Sequence, residues 1–172
     1  GSRYTAGFGV VIFTSILSFI SLFFVDIFAA AAVYSLISYV FQGISIMCMG
    51  KNRGYKTAFT AWIPFYNKYV LGKIAGNPII GGIAGMLSCV SICSGALFIC
   101  KEWAGIVVFA VFVISLMTTF ILDAVIAHNM YKSRSEQHGE LLTAFHILSF
   151  GLLGPIFLFA LRNKKEQVPA SI

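Results

Sequence analysis

The stretch that decides the fold lies at residues 51–78 and reads KNRGYKTAFTAWIPFYNKYVLGKIAGNP. It holds five of the twelve Lys and Arg residues of the chain and no Asp or Glu. The sequence on both sides of it is almost entirely apolar. A basic, aromatic segment between apolar ones is typical of the boundary between lipid hydrocarbon and water. We therefore expect an integral membrane protein in which this stretch lies at the bilayer interface.

The composition supports the same interpretation. Of the 172 residues, 59% are hydrophobic and only 10% are charged. Soluble domains carry roughly 25% charged residues, so lipid must cover much of this surface. The net charge of +6 is concentrated at the ends of apolar segments. This favours membrane lipids as partners and argues against nucleic acid. The four cysteines fall in or at the ends of apolar runs, so no disulfide framework is predicted.

Five apolar runs are near the roughly 20 residues that a bilayer requires. The predicted spans are residues 7–25, 28–49, 79–100, 104–128 and 141–161. Asp26 predicts a tight turn between the first two spans, and Pro155 predicts a kink in the fifth. The first run is too long for a signal-peptide core, so we expect it to be retained. The predicted fold is an all-α transmembrane helix bundle forming a single membrane domain, residues 1–172.

A short amphipathic helix is predicted at residues 64–75. Pro64 suits the first helical position, and Gly76 suits the position just after the last turn. Such a helix is about 18 Å long, too short to cross a bilayer. We expect it to rest flat at the interface, with Lys68 facing water on the side opposite the aromatic rings. The predicted interfacial lipid-binding residues are Trp62, Tyr66, Lys68, Tyr69 and Lys73.

The same stretch resembles a motif of small uncharacterised bacterial multi-pass membrane proteins, which reads W/L-I-P-x-Y-N-x-Y-x-L-x-K-I-A-G-x-P. The matching residues are WIPFYN at 62–67, YVL at 69–71, KIAG at 73–76 and Pro78, with a lead-in at 50–56. The rest of the chain matches that group only in being hydrophobic. The resemblance implies the inner membrane of a bacterium. It implies no reaction, cofactor or catalytic residue.

A stripe of small residues in the third predicted span indicates helix packing. Gly81, Gly85, Cys89 and Cys93 recur every four residues. Small-xxx-small stripes let another backbone approach closely inside lipid, so these positions favour a homo-oligomer or a partner membrane protein. The alternative is a thiolate metal site or redox relay at the cysteines. Packing is the preferred interpretation, because free cysteine behaves as a small hydrophobe.

Asp123 is the strongest candidate for a functional residue. An ionisable side chain inside a span is costly and by default marks a functional position. Ser115 and Thr119 lie on the same helical face as Asp123, and Gln42 adds a polar group on the second span. These four residues are the predicted lining of a polar interior.

His128 and His146 form a second, weaker candidate site for a metal ion or a proton relay. They flank the polar loop at residues 131–139, so chain geometry allows them to meet on one side of the membrane. With Asp123 or Glu140 they offer imidazole and carboxylate ligands, and histidine also titrates near neutral pH. No H-E-x-x-H spacing supports the site.

Each candidate also has a purely structural interpretation. Asp123 could pair with Lys132 or Arg134 near the headgroups. His128 and His146 could be ordinary interfacial residues, and the hydroxyls and the glutamine could hydrogen-bond between helices.

Three functions therefore remain open. The first is a non-enzymatic protein that binds or passes a small molecule, ion or lipid through a polar interior. The second is a membrane-embedded enzyme that acts on a lipid through Asp123, His128 and His146. The third is an accessory subunit without a site. No catalytic residue is assigned, and the cofactor is left open.

Charge counting gives the predicted orientation. Five spans put eight Lys/Arg residues on the side of Arg3, the central stretch and the 131–139 loop. The other four, Lys101 and the three basic residues of the tail, fall on the opposite side. This predicts a cytoplasmic N-terminus.

Overall fold

The structure is a computed structural model that describes residues 2–100 and 105–166. Within these residues the chain is all-helical, with six α-helices, one 3-10 helix and no strand, which confirms the predicted fold class. The elements are α1 (Ser2–Asn52), the 3-10 helix (Ala58–Trp62), α2 (Tyr66–Ile74), α3 (Pro78–Cys100), α4 (Gly105–Arg134), α5 (Gly139–Leu148) and α6 (Gly154–Leu161).

Three of the described helices are long and apolar enough to cross a membrane, judged by length and composition. These are α1 from Gly7 onward, α3 and α4, and their most apolar windows have mean hydropathies of 2.5, 2.1 and 2.6. The predicted turn at Asp26 is wrong, because α1 continues through it and merges the spans predicted at 7–25 and 28–49. One aspartate costs a helix little, and the neighbouring residues include no glycine or proline to break it.

The chain divides into two compact units, residues 1–39 and 40–172. In the first unit, large apolar side chains are exposed, including Phe8, Phe13, Phe19, Leu22 and Phe28. Two of its hydroxyl groups bond within the helix: Thr14 Oγ1 donates to the Val10 carbonyl and Ser21 Oγ to the Ser18 carbonyl, both at 2.9 Å. A helix that is apolar on its outside suits a lipid environment.

In the second unit, α3 and α4 pack antiparallel. The hydroxyl oxygens of Ser91 and Ser115 lie 2.9 Å apart. Further along, the rings of Phe98 and Phe109 have centroids 5.3 Å apart. A hydrogen-bonded pair of serines and a pair of aromatic rings therefore lie between the two helices, and the serine pair allows a close approach in lipid.

The chain between α1 and α3 dips inward and returns. We call residues 55–75 the first hairpin. Its 3-10 helix descends along α1: a Cβ on Gly50 would lie 3.3 Å from Ala58, and one on Gly43 would lie 2.8 Å from the ring of Trp62. Gly43 is nine residues before the end of α1, which corresponds to about 13 Å along the helix. The first hairpin thus extends beside α1 to a point about 13 Å from the C-terminal end of that helix.

The return arm of the first hairpin is α2, which packs antiparallel against the first turns of α3. A Cβ on Gly81 would lie 2.5 Å from the Lys68 carbonyl oxygen, and one on Gly85 would lie 2.6 Å from the Phe65 carbonyl oxygen. The prediction of a helix resting flat at residues 64–75 is therefore corrected. The helix is Tyr66–Ile74, and it dips along α3 because glycines let its backbone approach closely.

The tip of the first hairpin is a tight reversal. Phe65 has φ 64° and ψ −38°, a conformation that is rare for a residue with a side chain. The Tyr66 amide donates to the Pro64 carbonyl at 2.7 Å, which closes a γ-turn, a strained reversal. This turn keeps the backbone amide bonded inside the protein.

The predicted fifth span, residues 141–161, is also a hairpin. We call residues 139–161 the second hairpin. Its arms, α5 and α6, are separated by a turn in which Phe150 (φ 53°) and Gly151 (φ 80°) have left-handed backbones. Pro155 lies in the first turn of α6, so the reversal comes before it. The expected kinked crossing is thus replaced by two short helices.

Contacts with α4 fix the course of the second hairpin. In α5, Thr143 Oγ1 lies 2.9 Å from His128 Nδ1 of α4. In the turn after α5, the ring of Phe150 has its centroid 6.3 Å from that of Phe120 of α4. On the way out, Arg134 donates to the Lys164 carbonyl at 2.5 Å. The chain therefore enters and leaves along the same end of α4.

Both hairpins open towards one end of the second unit, which we call the basic end. Asn52 Nδ2 lies 3.5 Å from the Arg162 carbonyl, and Arg53 forms an ion pair with Glu166. The predicted placement of the basic tail opposite the 131–139 loop is therefore corrected: residues 162–166 lie at the same end as that loop. The reason is that the last apolar segment turns back instead of crossing.

A Gly81→Ala substitution tests the close contact between α2 and α3. We expect it to lower the free energy of unfolding by about 1–3 kcal/mol, because the new methyl group would collide with the Lys68 carbonyl. The matched control is Gly82→Ala, whose Cβ would meet its nearest atom at 3.6 Å. Thermal unfolding in detergent measures both, and equal melting temperatures for the two variants would contradict the contact.

Reporters at two positions test the second hairpin. We expect an accessibility tag inserted after Gln137 and a reporter fused after Ile172 to lie on the same side of the membrane. A reporter on the opposite side would restore a fifth crossing. Protease protection in oriented vesicles makes the measurement.

Candidate functional site

A cavity of about 200 Å³ lies where the two hairpins meet α1 and α4. Its walls are apolar side chains and glycines interrupted by six side chains with polar groups: Gln42, Asn67, Lys68, Asp123, Tyr131 and His146. These residues come from α1, α2, α4 and α5, so the cavity depends on both hairpins. Its volume is below the roughly 300–1,000 Å³ of pockets for drug-sized ligands.

An ion pair between Lys68 and Asp123 borders the cavity and joins the first hairpin to α4. The two side chains retain 27% and 33% of their accessible surface, so the pair is only partly buried. The expectation that Lys68 faces water, away from the rings, is corrected by this contact. Asp123 pairs with a residue 55 positions earlier and not with Lys132 or Arg134. The charge on α4 is thus compensated by the inward-dipping helix.

Two side-chain amides in the cavity wall lack partners. Asn67 is 7% exposed, and Gln42 is partly buried. Neither side chain makes a hydrogen bond with any other described residue. Among the described residues, Ser38 Oγ is the buried side-chain polar atom without a partner, so the amide atoms of Asn67 and Gln42 keep accessible surface at the cavity. Both amides are therefore available to a molecule in the cavity.

His146 is buried, and its orientation is fixed by two contacts. Its Nδ1 lies 3.0 Å from the Tyr131 hydroxyl, and its ring packs on the first turn of α6. A Cβ on Gly154 would lie 2.7 Å from the His146 ring carbon Cε1, so only glycine leaves room for the imidazole there. With Nδ1 occupied, Nε2 is the ring nitrogen left for a molecule in the cavity.

His128 does not join this cavity. Its Nδ1 contacts Thr143 on α5, and it is absent from the cavity wall. Throughout residues 2–100 and 105–166, no three His, Cys, Asp or Glu side chains are grouped to hold a metal ion. The three residues of the enzyme hypothesis are thus divided: Asp123 and His146 line the cavity, and His128 lies outside it.

Ser115 and Thr119 also lie outside the cavity. Both are buried, and Ser115 faces Ser91 across the contact between α3 and α4. Thr119 Oγ1 donates to the Ser115 carbonyl at 2.8 Å. Of the four residues predicted for a polar interior, the structure brings only Gln42 and Asp123 to one cavity. The two hydroxyls bond between and within helices.

The predicted interfacial residues have different surroundings. Trp62 packs on Gly43, and Lys68 pairs with Asp123. Tyr66 is 45% exposed and its ring lies 5.2 Å from that of Tyr69. In contrast, Lys73 is exposed, with Nζ 4.6 Å from the centroid of the Tyr55 ring.

The four small residues of the stripe on α3 have two different environments. Gly81 and Gly85 lie under α2, whereas Cys89 and Cys93 are exposed. Within the described chain, therefore, the packing partner of the stripe is α2, and it reaches only the first two positions.

Three residues at the cavity were not singled out in the sequence. Asn67 stands in the WIPFYN string, where a polar amide between aromatic residues was a usable signal. Tyr131 was placed in a polar loop, although it is completely buried in α4. Gly154 precedes Pro155, and its role depends on a histidine eight residues earlier in the chain.

Comparisons of the chain with protein-family models, curated proteins and solved structures found no match. The site must therefore be interpreted from its own geometry.

A double-mutant cycle tests the ion pair. We expect Lys68→Met and Asp123→Leu each to lower the free energy of unfolding by about 1–3 kcal/mol, because each leaves a partly buried charge unpaired. The double variant should lose less unfolding free energy than the two single variants lose together, by about 0.5 kcal/mol or more. Lys73→Met, at an exposed lysine on the same helix, is the control. Additive effects in chemical denaturation would refute a direct pair.

Proposed function

We propose that this protein binds a small polar solute in the cavity between the two hairpins and that it acts as a binding or transport protein of a membrane. One observation carries the proposal: Gln42 and Asn67, two amides that make no hydrogen bond with other described residues, lie in one cavity wall with the Lys68–Asp123 ion pair. The amide atoms keep accessible surface at the cavity, so a polar molecule there could hydrogen-bond to them without displacing a protein partner.

The polar groups suit a solute with both donors and acceptors. Each amide offers an NH₂ group and a carbonyl oxygen, and the ion pair offers one charge of each sign. A small zwitterion matches this set best, because its anionic end can approach Lys68 and its cationic end Asp123. The volume of about 200 Å³ limits the solute to less than the size of a typical drug.

The proposed setting is the inner membrane of a bacterium, as the resemblance of residues 62–78 implies. We propose that the basic end faces the cytoplasm, because Lys and Arg beside apolar helices are retained on that side. The cytoplasmic N-terminus expected from the count of Lys and Arg over five spans stays a prediction. Membrane lipids and a second copy of the chain or a partner membrane protein remain proposed partners.

The two other functions have weaker support. An enzyme would have to use Asp123 and His146 without His128, and neither has a partner arranged for nucleophilic or metal chemistry among the described residues. An accessory subunit without a site leaves the two amides unexplained. We therefore favour binding of a solute over both.

Glycine, the smallest amino-acid zwitterion, is the probe for this proposal. We expect the purified protein to bind radiolabelled glycine more tightly than acetate or methylamine, each of which carries only one of its charges. Asn67→Leu should weaken glycine binding about tenfold or more, because one amide partner is lost. Equilibrium dialysis in detergent measures the affinities.

Ser91→Ala is the matched control, since Ser91 is a buried polar residue outside the cavity. It should leave glycine binding unchanged. The proposal fails if glycine binds no better than acetate and methylamine, or if Asn67→Leu binds glycine as the unmodified protein does.

A further inference from the structure

A second cluster of charges lies at the basic end, away from the cavity. It consists of Arg53 after α1, Arg134 at the end of α4, and Glu166. Arg53 is hydrogen-bonded to the Glu166 carboxylate, and Nη2 of Arg134 lies 3.7 Å from the same carboxylate. Burial lowers the pKa of Arg53, but hydrogen bonds to Tyr55 and Glu166 raise it by more, so the guanidinium keeps its charge.

Arg134 is the unusual member of this cluster, because it is only 2% exposed. Its Nε donates to the Met130 sulfur at 3.2 Å, and its Nη1 donates to the Lys164 carbonyl at 2.5 Å. These acceptors are uncharged, and the distance of 3.7 Å to Glu166 exceeds that of a hydrogen bond. A buried guanidinium is stable only with an anion close to it. Glu166 provides a negative charge near Arg134 but no hydrogen bond to it.

The surrounding cleft has an excess of positive charge. Its volume is about 480 Å³, and its walls include Arg53, Arg134, Lys164, Lys165 and a single carboxylate, Glu166. Among the residues that the structure describes, four cations thus border the cleft with one anion. Phosphate groups match paired guanidiniums well, because each can accept hydrogen bonds from both.

An apolar groove adjoins the cleft. It lies between α5 and α6, has a volume of about 420 Å³, and is bordered by Leu141, Phe145, Phe157 and Leu161. Lys164 borders both the groove and the cleft. A phosphate site that continues into an apolar groove fits a molecule with a charged head and a hydrocarbon chain.

We propose that the cleft binds the phosphate of an anionic phospholipid, that an acyl chain lies in the groove, and that the Glu166 carboxylate occupies the phosphate position when the lipid is absent. Basic pockets at the ends of membrane helices are suited to such headgroups. Glu166 then competes with the lipid, so binding requires the Glu166 side chain to move aside. This site is separate from the cavity and does not depend on the function proposed for it.

Competition by Glu166 gives the two key substitutions opposite effects. Glu166→Gln removes the competing charge and should tighten binding of dioctanoyl phosphatidylglycerol about tenfold. Arg53→Gln removes a phosphate partner and should weaken binding by a similar factor. Arg53 is preferred to the buried Arg134, because its substitution leaves the helix interior intact. Native mass spectrometry in mild detergent measures the lipid bound.

Three comparisons decide the outcome. Lys132→Gln removes an exposed positive charge of α4 outside the cleft, and it should leave lipid binding unchanged. Dioctanoyl phosphatidylcholine, which has no net charge, should bind at least about tenfold more weakly. Inorganic phosphate should also bind more weakly, because it cannot use the groove.

The proposal is overturned if Glu166→Gln leaves phosphatidylglycerol binding unchanged or weakens it. It is also overturned if Lys132→Gln has as large an effect as Arg53→Gln, which would indicate unspecific attraction. Equal binding of inorganic phosphate and phosphatidylglycerol would exclude the acyl-chain groove and with it the lipid.

Discussion

The close approach of α2 to α3 is the contact on which the rest of the second unit depends. Gly72 and Gly81 face each other across it, and a Cβ on Gly72 would lie 2.7 Å from the Gly81 Cα. A nine-residue helix has little stability of its own, so it needs such packing to persist. Because the backbones touch, the carbonyl of Lys68 lies over α3 and its side chain extends to Asp123. Without this approach, neither the ion pair nor the wall formed by Asn67 would exist.

Backbone amides at the tips of both hairpins bond within the protein, which a chain turning inside lipid would require, because lipid offers no partners. The Tyr66 amide bonds to the Pro64 carbonyl in the first hairpin, and the Leu153 amide donates to the Ser149 hydroxyl in the second. The short helices that begin or end at the two hairpin tips also leave unfilled space beside their ends. The cavity lies in that space, which places it where the polar ends of the turns and Asp123 lie close together.

The sequence predicts the helical class and the two long helices α3 and α4, because apolar runs of sufficient length are a local property. It also identifies Gln42 and Asp123 as polar residues in apolar surroundings, and both line the cavity. The hairpins were not predictable in the same way. Local signals at Pro64 and Gly76 indicate a short helix, but its depth is set by contacts with Gly81 and Gly85 elsewhere in the chain. The partner of Asp123 is equally non-local, so the nearby Lys132 and Arg134 were natural but incorrect candidates.

The short connection between α3 and α4 has a consequence for biosynthesis. In the second unit, both hairpins and residues 162–166 lie at one end, so the polar segment of this part of the chain that would have to cross a bilayer is the connection at residues 101–104. That connection carries two charged residues, Lys101 and Glu102. Moving a charged side chain through the membrane centre costs about 2.5–3.5 kcal/mol on insertion scales. The pair α3–α4 can therefore enter lipid as one apolar hairpin with only two charged side chains to carry across, and the two hairpins can then pack against it from the side where they were made.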